Sequence, residues 1–526
     1  MRGRTFLLLA VVLAIPGLFW GGERYYLHQA HKAGVSWDRL DRGLDGYVFH
    51  RVGLRGFEAA EARIEAQWPL RVRVEGVDLD VSGLLDSSDG VAMAGGGLPP
   101  VSLSGVVLRW GEKPLATDVS GSLEGGRLLL ESEKFQLDRS GGKTVLAMEV
   151  ESPLEGASGV LNLGLEVEER RGVLEVQSDR LVLEHETLAD VGLPISLSAR
   201  VHLDVDENQF EGTVSVGEVK LEASGVFDEG RVPVRLVLPE TGLEKVIDVL
   251  RPIVPEAEGA RLSGQVSGWL EWQWPEGTWR ADGSLHELGV VGAVPRIEAL
   301  AYGPFEYRVR AEEDSLKLRT TGEGTPGWTA LPHVAPSLSD AIVAAEDSGF
   351  LDHPGYDVEA MREALQANLE AGKILRGGST ITQQLAKNLF LDSERTLARK
   401  VSELLLAVEL DRVLGKTRVM ELYVNVVEWG PDLHGVAEAS QRYFLRAPRH
   451  LQTHESAFLA AILPAPLKFY TRWYLKGRAG EYRIGWVLQN MVDGKRITPV
   501  EARTWMQEPL RFVPPPVVEA DSASPQ

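Results

Sequence analysis

Residues Arg376–Phe390 read RGGSTITQQLAKNLF, and the reading of this stretch decides what the C-terminal third of the chain is. Gly377 and Gly378 run into Ser379 and Thr380, and a helix-forming segment follows with Gln383, Gln384, Lys387 and Asn388. A glycine turn that opens a helix is one way of holding phosphate. A nucleotide loop, however, needs four residues between its first glycine and a Gly-Lys pair, and Lys387 comes two turns later. What remains is a Gly-Gly hinge, a hydroxyl cap and a helix. Thr380, Gln383, Gln384, Lys387 and Asn388 fall near one face of it by three- and four-residue spacing. The plainer alternative is a capped helix with a solvated polar face.

The flanking segments carry the other chemistry-bearing residues. Upstream, AAEDSGFLDHPG (Ala344–Gly355) places Glu346 and Asp347 at the end of an apolar helix. The negative end of the helix dipole disfavours a carboxylate there, and apolar neighbours raise its pKa, which suits a general base. Downstream, ERTLARKVSELLLAVELDRVLGK (Glu394–Lys416) spaces Arg395, Arg399 and Glu403 by four, with Lys400 beside them. Such a stripe holds a diphosphate or is a salt-bridged surface. In KTRVMELYVNVVEWG (Lys416–Gly430), Glu421, Tyr423 and Asn425 interrupt an apolar helix. Buried polar groups need partners, so these three read as braces beside a site.

Taken in order, these segments resemble the five motifs of the family 51 peptidoglycan glycosyltransferases, and most closely the monofunctional biosynthetic branch. The first motif is matched by Glu346, Asp347, Phe350, His353 and Gly355. The second is matched by Gly377, Ser379, Thr380, Gln383 and Gln384, continuing to Lys387 and Asn388. Arg399, Lys400 and Glu403 match the third, and Lys416, Glu421, Tyr423, Asn425 and Gly430 the fourth. Gly435, Ala439, Tyr443 and Phe444 match the fifth, with Val436 and Ser440 as substitutions. Ser402 stands where several relatives have a second lysine. The resemblance runs from about Trp328 to Arg496.

It implies an all-α lysozyme-like domain that polymerises lipid II into β-1,4 glycan with inversion and release of undecaprenyl diphosphate. Glu346 is then the base. Ser379, Thr380, Gln383, Gln384, Lys387, Asn388, Arg395, Arg399 and Lys400 hold substrate and diphosphate. Glu403 holds a lysine or a divalent metal, with Mg²⁺ allowed rather than required and no cofactor needed. Asp347, Phe350, His353, Gly355, Lys416, Glu421, Tyr423 and Asn425 are structural. The competing readings are a lysozyme-like glycan hydrolase, which has no use for a diphosphate clamp, and a non-catalytic scaffold.

The rest of the chain has a different texture. Period-two alternation in RVRVEGVDLDVSGLL (Arg71–Leu85), GTVSVGEVKLEASGVF (Gly212–Phe227) and RVPVRLVLP (Arg231–Pro239) predicts strands. GLEKVIDVLRPIVP (Gly242–Pro255) predicts one helix, stopped by its prolines. Irregularly spaced Ser-Gly pairs, among them Ser104-Gly105 and Ser158-Gly159, mark strand ends or bulges. The β-rich texture loosely resembles the AsmA-like periplasmic domains, without a motif to carry it. A spacer that binds a cell-wall synthesis protein, or a lipid, is the reading for this region, and it is expected to be separable from the chemistry.

MRGRTFLLLAVVLAIPGLFWGGERYY opens the chain with two arginines and an apolar run from Thr5 to Trp20, read as an uncleaved signal anchor rather than a cleaved signal peptide. The expected architecture is therefore multidomain. It has a transmembrane helix over 1–30, a β-rich extracytoplasmic domain over 35–320, the glycosyltransferase domain over 321–511 and a disordered tail over 512–526. The expected location is the cytoplasmic (inner) membrane, single-pass, with the catalytic domain periplasmic. Residues Thr325–Arg511 carry 22 basic and 22 acidic residues, so the net charge of −21 lies almost wholly before them. That charge argues against nucleic acid as a partner. The absence of cysteine excludes disulfides and a thiol nucleophile.

Overall fold

Alternating apolar and polar residues build strands that bury one face, and the first half of the chain does this throughout. The computed structural model describes residues 36–514 apart from 44–45, 55–56, 66–70, 81–100, 111–112, 125–126, 141–142, 152–155, 169, 187, 205, 227–231, 275–277, 293–296, 311–315, 372–376 and 392–395. Seventeen strands between Arg39 and Val291 form one sheet. Every described pairing within it joins strands consecutive in sequence. All are antiparallel except Arg71–Asp80 with Val101–Trp110, which is parallel. The twenty residues between those two strands supply the longer connection that a parallel pair needs.

By its contacts the chain divides into two compact units. The first comprises residues 1–184, 194–239 and 269–279. Its buried face is made by Leu103, Val106, Val119, Leu130, Phe135, Leu137, Leu161 and Leu181. Two of the Ser-Gly pairs sit at register shifts, where Gly105 and Gly159 adopt positive φ. A Cβ at Gly159 would lie 2.7 Å from the Arg180 carbonyl oxygen, so the bulge requires glycine.

The second unit comprises residues 185–193, 240–268 and 280–526. Helix α1 (Leu243–Leu250) is followed by two proline-started 3₁₀ turns, Arg251–Ile253 and Pro255–Ala257. A hairpin, Pro304–Arg310 with Leu316–Gly322, precedes the helical region. That region contains α2 (Pro336–Glu346), α3 (Val358–Ala371), α4 (Ile381–Phe390) and α5 (Leu397–Val426). It continues with α6 (Val436–Phe444), α7 (Thr453–Ile462), α8 (Pro466–Arg472), α9 (Glu481–Asp493) and α10 (Pro499–Gln507). Gly415 breaks α5 with φ 69° and ψ 164°, so the element is two helical segments in one run. Its core includes Leu338, Ile342, Leu385, Leu406, Leu410, Leu422, Trp429 and Phe458.

Three expectations about architecture need correction. The transmembrane helix is not supported. Among the described residues no helix is long and apolar enough to cross a membrane, and residues 1–30 lie outside the description. The physical weakness was visible in the sequence: Thr5–Trp20 is sixteen residues, about 24 Å of helix at ~1.5 Å per residue, against a hydrocarbon core of ~30 Å. The C-terminal domain is also not purely helical. Glu428–Gly430 pairs with Leu433–His434 around a turn in which Asp432 has φ 52°. Finally, the tail expected from residue 512 begins inside the packing. Phe512 stacks on Phe444 at 5.8 Å, and the Val513 N–H donates to the Tyr443 carbonyl at 2.9 Å; residues 515–526 lie outside the description.

Candidate active site

Helix α2 buries Leu338 and the apolar run Ala341–Ala344, and it delivers Glu346 at its last position. Oε2 of Glu346 accepts a hydrogen bond from Gln384 Nε2 at 2.8 Å. The amide of Gln384 is held in turn by Tyr423, whose hydroxyl donates to Oε1 at 2.7 Å. Tyr423 is fully buried, and burial drives its phenol pKa well up, so it stays a donor. This fixes the direction of the chain Tyr423–Gln384–Glu346. Oε1 of Glu346 is shut from solvent and has no hydrogen-bond partner among the described residues. Burial raises the Glu346 pKa, opposed by the Gln384 hydrogen bond and by the charges of Arg483 and Lys387. A carboxylate so placed has one oxygen fixed and the other unpaired, with a raised affinity for a proton.

Asp347 does something else. Its Oδ2 accepts from the Ile381 N–H at 3.0 Å, at the start of α4, and its Oδ1 pairs with His353 Nε2 at 2.9 Å. A carboxylate at a helix N-terminus is favourable, so Asp347 ties the end of α2 to the beginning of α4. Thr380 caps α4 in a capping box with Gln383, and its hydroxyl donates to the Gly355 carbonyl at 2.7 Å. Gly355 has φ 87°, and a Cβ there would meet the Ala407 carbonyl oxygen at 2.5 Å. Lys416 donates to the His353 carbonyl at 2.6 Å, pairs with Asp411 and lies over the Phe350 ring. The first two motifs are thus one hydrogen-bonded body.

The cations gather on the first half of α5. Glu403 is buried, with Arg399 at 3.0 Å from Oε1 and Lys400 at 2.7 Å from Oε2. Lys400 also donates to Ser379 Oγ at 2.5 Å, bridging α5 to the turn before α4. Both oxygens of Glu403 are therefore taken by cations. A divalent metal placed there would face two positive groups, and no cluster of three acidic or imidazole side chains forms elsewhere among the described residues. The residues present do not fit a metal at Glu403.

Lys387 is exposed on α4 and its charge reaches Glu346. Asn388 donates to the Gln384 backbone carbonyl at 2.8 Å. Arg395 lies outside the described residues. Glu421 accepts from the Leu331 N–H and pairs with Arg418, and Asn425 exchanges two hydrogen bonds with the Thr329 backbone.

Sequence reasoning missed several residues here. Arg483 on α9 acts on the charge of Glu346, and Asn490 donates to the Ala344 carbonyl in the last turn of α2 at 3.0 Å. No motif spacing connects residues so far apart.

The stretch 240–310 was expected to be separable from the chemistry, yet part of it belongs to this same unit. Ser402 donates to Glu256, Arg362 forms a two-pronged pair with Asp282, and the Gly292 N–H donates to the buried Glu409. The Leu288 N–H donates to the Tyr356 hydroxyl, and Arg418 to the Leu300 carbonyl.

The sequence pattern of the Transglycosylase family matches residues 315–492. A biosynthetic peptidoglycan transglycosylase of Cupriavidus metallidurans is 43% identical over 157 residues, which is 30% of this chain and 67% of that protein. One of Chromobacterium violaceum is 43% identical over 157 residues, 30% of this chain and 69% of that protein. One of Alcanivorax borkumensis is 39% identical over 183 residues, 35% of this chain and 72% of that protein. The chain belongs to this family. Such relatives of the transglycosylase are spanned over between 61% and 72% of their length. The crystal structure of penicillin-binding protein 1A from Haemophilus influenzae aligns at TM-score 0.21 and 20% identity, over 40% of this chain and 21% of that one. Its family makes the chain a peptidoglycan glycosyltransferase, with the buried carboxylate of Glu346 inside the matched region.

Proposed function

We propose that this glycosyltransferase polymerises lipid II by direct, inverting displacement, with Glu346 as the base. The observation that carries the reading is the state of Glu346. One oxygen is held by Gln384, the other is buried without a partner among the described residues, and burial has raised its proton affinity. The acceptor is the 4-hydroxyl of a lipid II disaccharide, and the donor is the reducing-end MurNAc C1 of the lipid-linked strand. Glu346 Oε1 takes the hydroxyl proton as the O4–C1 bond forms. The C1–O bond to the diphosphate breaks on the opposite face and its electron pair leaves with undecaprenyl diphosphate. The product linkage is β-1,4, and no glycosyl-enzyme is formed.

The leaving group needs its charge neutralised more than it needs a proton. Arg399 and Lys400 meet that need, with Lys387 on α4 as a third cation. Glu403 keeps Arg399 and Lys400 extended and close together, and Ser379 ties Lys400 to the wall that carries Gln384. No step is routed through a metal. A hydrolase acting on finished glycan would have no use for these cations. The substrate and the growing strand are both lipid-linked, which fits a reaction at the outer face of the cytoplasmic membrane.

The test is lipid II polymerisation by the purified chain against Glu346→Gln, with products resolved by glycan length. Wild-type protein should give long strands and the variant none. Equal strands from both would end the assignment of Glu346. Release of sugar from mature glycan in place of polymerisation would favour hydrolysis.

A further inference from the structure

We infer that the surface made by α8, the turn after it and the start of α9 is a docking face for anionic phospholipid headgroups. Between Pro466 and Trp486 the chain has five basic residues and a single acidic one, Glu481, in a protein of net charge −21. Lys468, Arg472, Lys476 and Arg478 are all exposed, and none is in an ion pair among the described residues. Elsewhere in the same unit Arg308, Lys317, Arg442, Arg449, Lys495, Arg503 and Arg511 are likewise outside the described ion pairs, and what marks this patch is that four such cations fall within eleven residues. Arg319, Arg362, Arg399, Lys400, Arg412, Lys416, Arg418, Arg446 and Arg496 each sit on an acid. Four neighbouring cations left without acids are a surface that expects its anions from elsewhere.

The apolar residues on the same surface say which anions. Leu467, Leu475, Tyr482 and Trp486 are exposed, Tyr482 to 90%. Phe469 and Trp473 stack at 4.2 Å, and the Arg483 guanidinium lies over both the Phe469 and Trp486 rings. Phe469, Trp473, Tyr482, Arg483 and Trp486, with Arg472 and Glu481, line an open depression of about 520 Å³, and Leu467 and Leu475 lie outside it. A soluble polyanion would engage the cations and leave two leucines, a tyrosine and a tryptophan in water. A bilayer interface takes both, with aromatic rings at headgroup level, aliphatic side chains below and cations on the phosphates. Arg483 lines this depression, and its charge also opposes the rise in the Glu346 pKa.

The proposal is tested without turnover, which separates its failure from that of the catalytic reading. Because the chain has no cysteine, Tyr482→Cys gives a unique site for an environment-sensitive fluorophore, and Tyr302→Cys, also highly exposed, gives the control. The full-length protein is mixed with phosphatidylglycerol–phosphatidylcholine vesicles or with phosphatidylcholine vesicles. The label at 482 should shift to the blue and be quenched by brominated acyl chains when phosphatidylglycerol is present, and the label at 302 should not. Combining Lys468→Gln, Arg472→Gln, Lys476→Gln and Arg478→Gln should weaken the phosphatidylglycerol-dependent response by roughly 5-fold per charge removed. A 482 label that behaves like the 302 label, or that responds equally to both vesicles, overturns the proposal. A response to soluble polyglutamate matching that to vesicles overturns it in favour of an acidic protein partner.

Discussion

Replacing Tyr423 by phenylalanine removes one oxygen and changes no packing volume of consequence, so its effects can be worked from two hydrogen bonds. The hydroxyl donates to Gln384 Oε1 at 2.7 Å, and Gln384 Nε2 donates to Glu346 at 2.8 Å. In Tyr423→Phe the amide oxygen loses its donor. A buried acceptor left without a partner costs about 1–3 kcal/mol. Taking about 2 kcal/mol, and about 2–4 °C per kcal/mol for a unit of this size, Tm should fall by roughly 4–8 °C. The second effect concerns catalysis. The amide is then held only by its own bond to Glu346, and once Glu346 is protonated it can turn and accept the carboxyl proton, which favours the neutral acid. A hydrogen bond to a charged group is worth about 1.5–3 kcal/mol, and about 1.4 kcal/mol corresponds to one pKa unit. The already raised pKa of Glu346 should therefore climb further, and the acid limb of the kcat/KM profile should move up by roughly one to two pH units. The assay is lipid II polymerisation from about pH 5 to 9, run beside thermal unfolding. A lowered Tm with an unmoved pH profile would refute the reasoning and leave Tyr423 a brace alone.

Three further outcomes follow from the same geometry. Because the native pKa of Glu346 is raised by burial, the folded state binds more protons than the unfolded one between the ordinary glutamate value and the raised value. Its stability contribution is full below that interval and lost as pH rises through it, while activity rises; Glu346→Gln should abolish both trends, checked by unfolding and turnover over pH. Glu403→Gln leaves Arg399 and Lys400 without their shared acid, so it should lower stability by about 3–5 kcal/mol, read by denaturant titration, and should raise KM for lipid II. A chain beginning at His185, which keeps the whole second unit, should fold and polymerise lipid II in detergent. One beginning at Thr320 should lose thermal stability and activity, because it lacks Glu256, Asp282, Leu288, Gly292 and Leu300, which bond to the catalytic unit.

Much of this was legible in the sequence because it is local. Period two in Gly212–Phe227 became two strands paired through the turn at Gly217. The helix ahead of Pro252 formed over Leu243–Leu250, and Thr380 and Gln383 became the capping box their spacing suggests. Glu421 and Asn425, read as braces, turned out to hold the backbone of Leu331 and Thr329. What stayed hidden depends on contacts between residues far apart in the chain. Ser402 and Glu256 are 146 positions apart, and Gly292 and Glu409 are 117 apart. No periodicity encodes such pairs, so the stretch 240–310 looked like the end of a separable sheet. Arg483 was hidden for the same reason. The apolar run at the N-terminus is sixteen residues, short for a full span, and it lies outside the described residues.

Gly415, the break inside α5, settles a matter of angular phase. In a continuous α-helix each residue advances about 100° around the axis, so the twenty-three positions from Lys400 to Tyr423 would put these side chains roughly 140° apart, on different sides. Yet Lys400, beside Glu403, reaches Ser379, and Tyr423 reaches Gln384, five residues further along the same chain segment. One straight rod cannot address one neighbour from both of its sides. The non-helical Gly415 resets the rotation, so the half that carries the cations and the half that steers the base are indexed separately. Each can turn to its own target without dragging the other out of line.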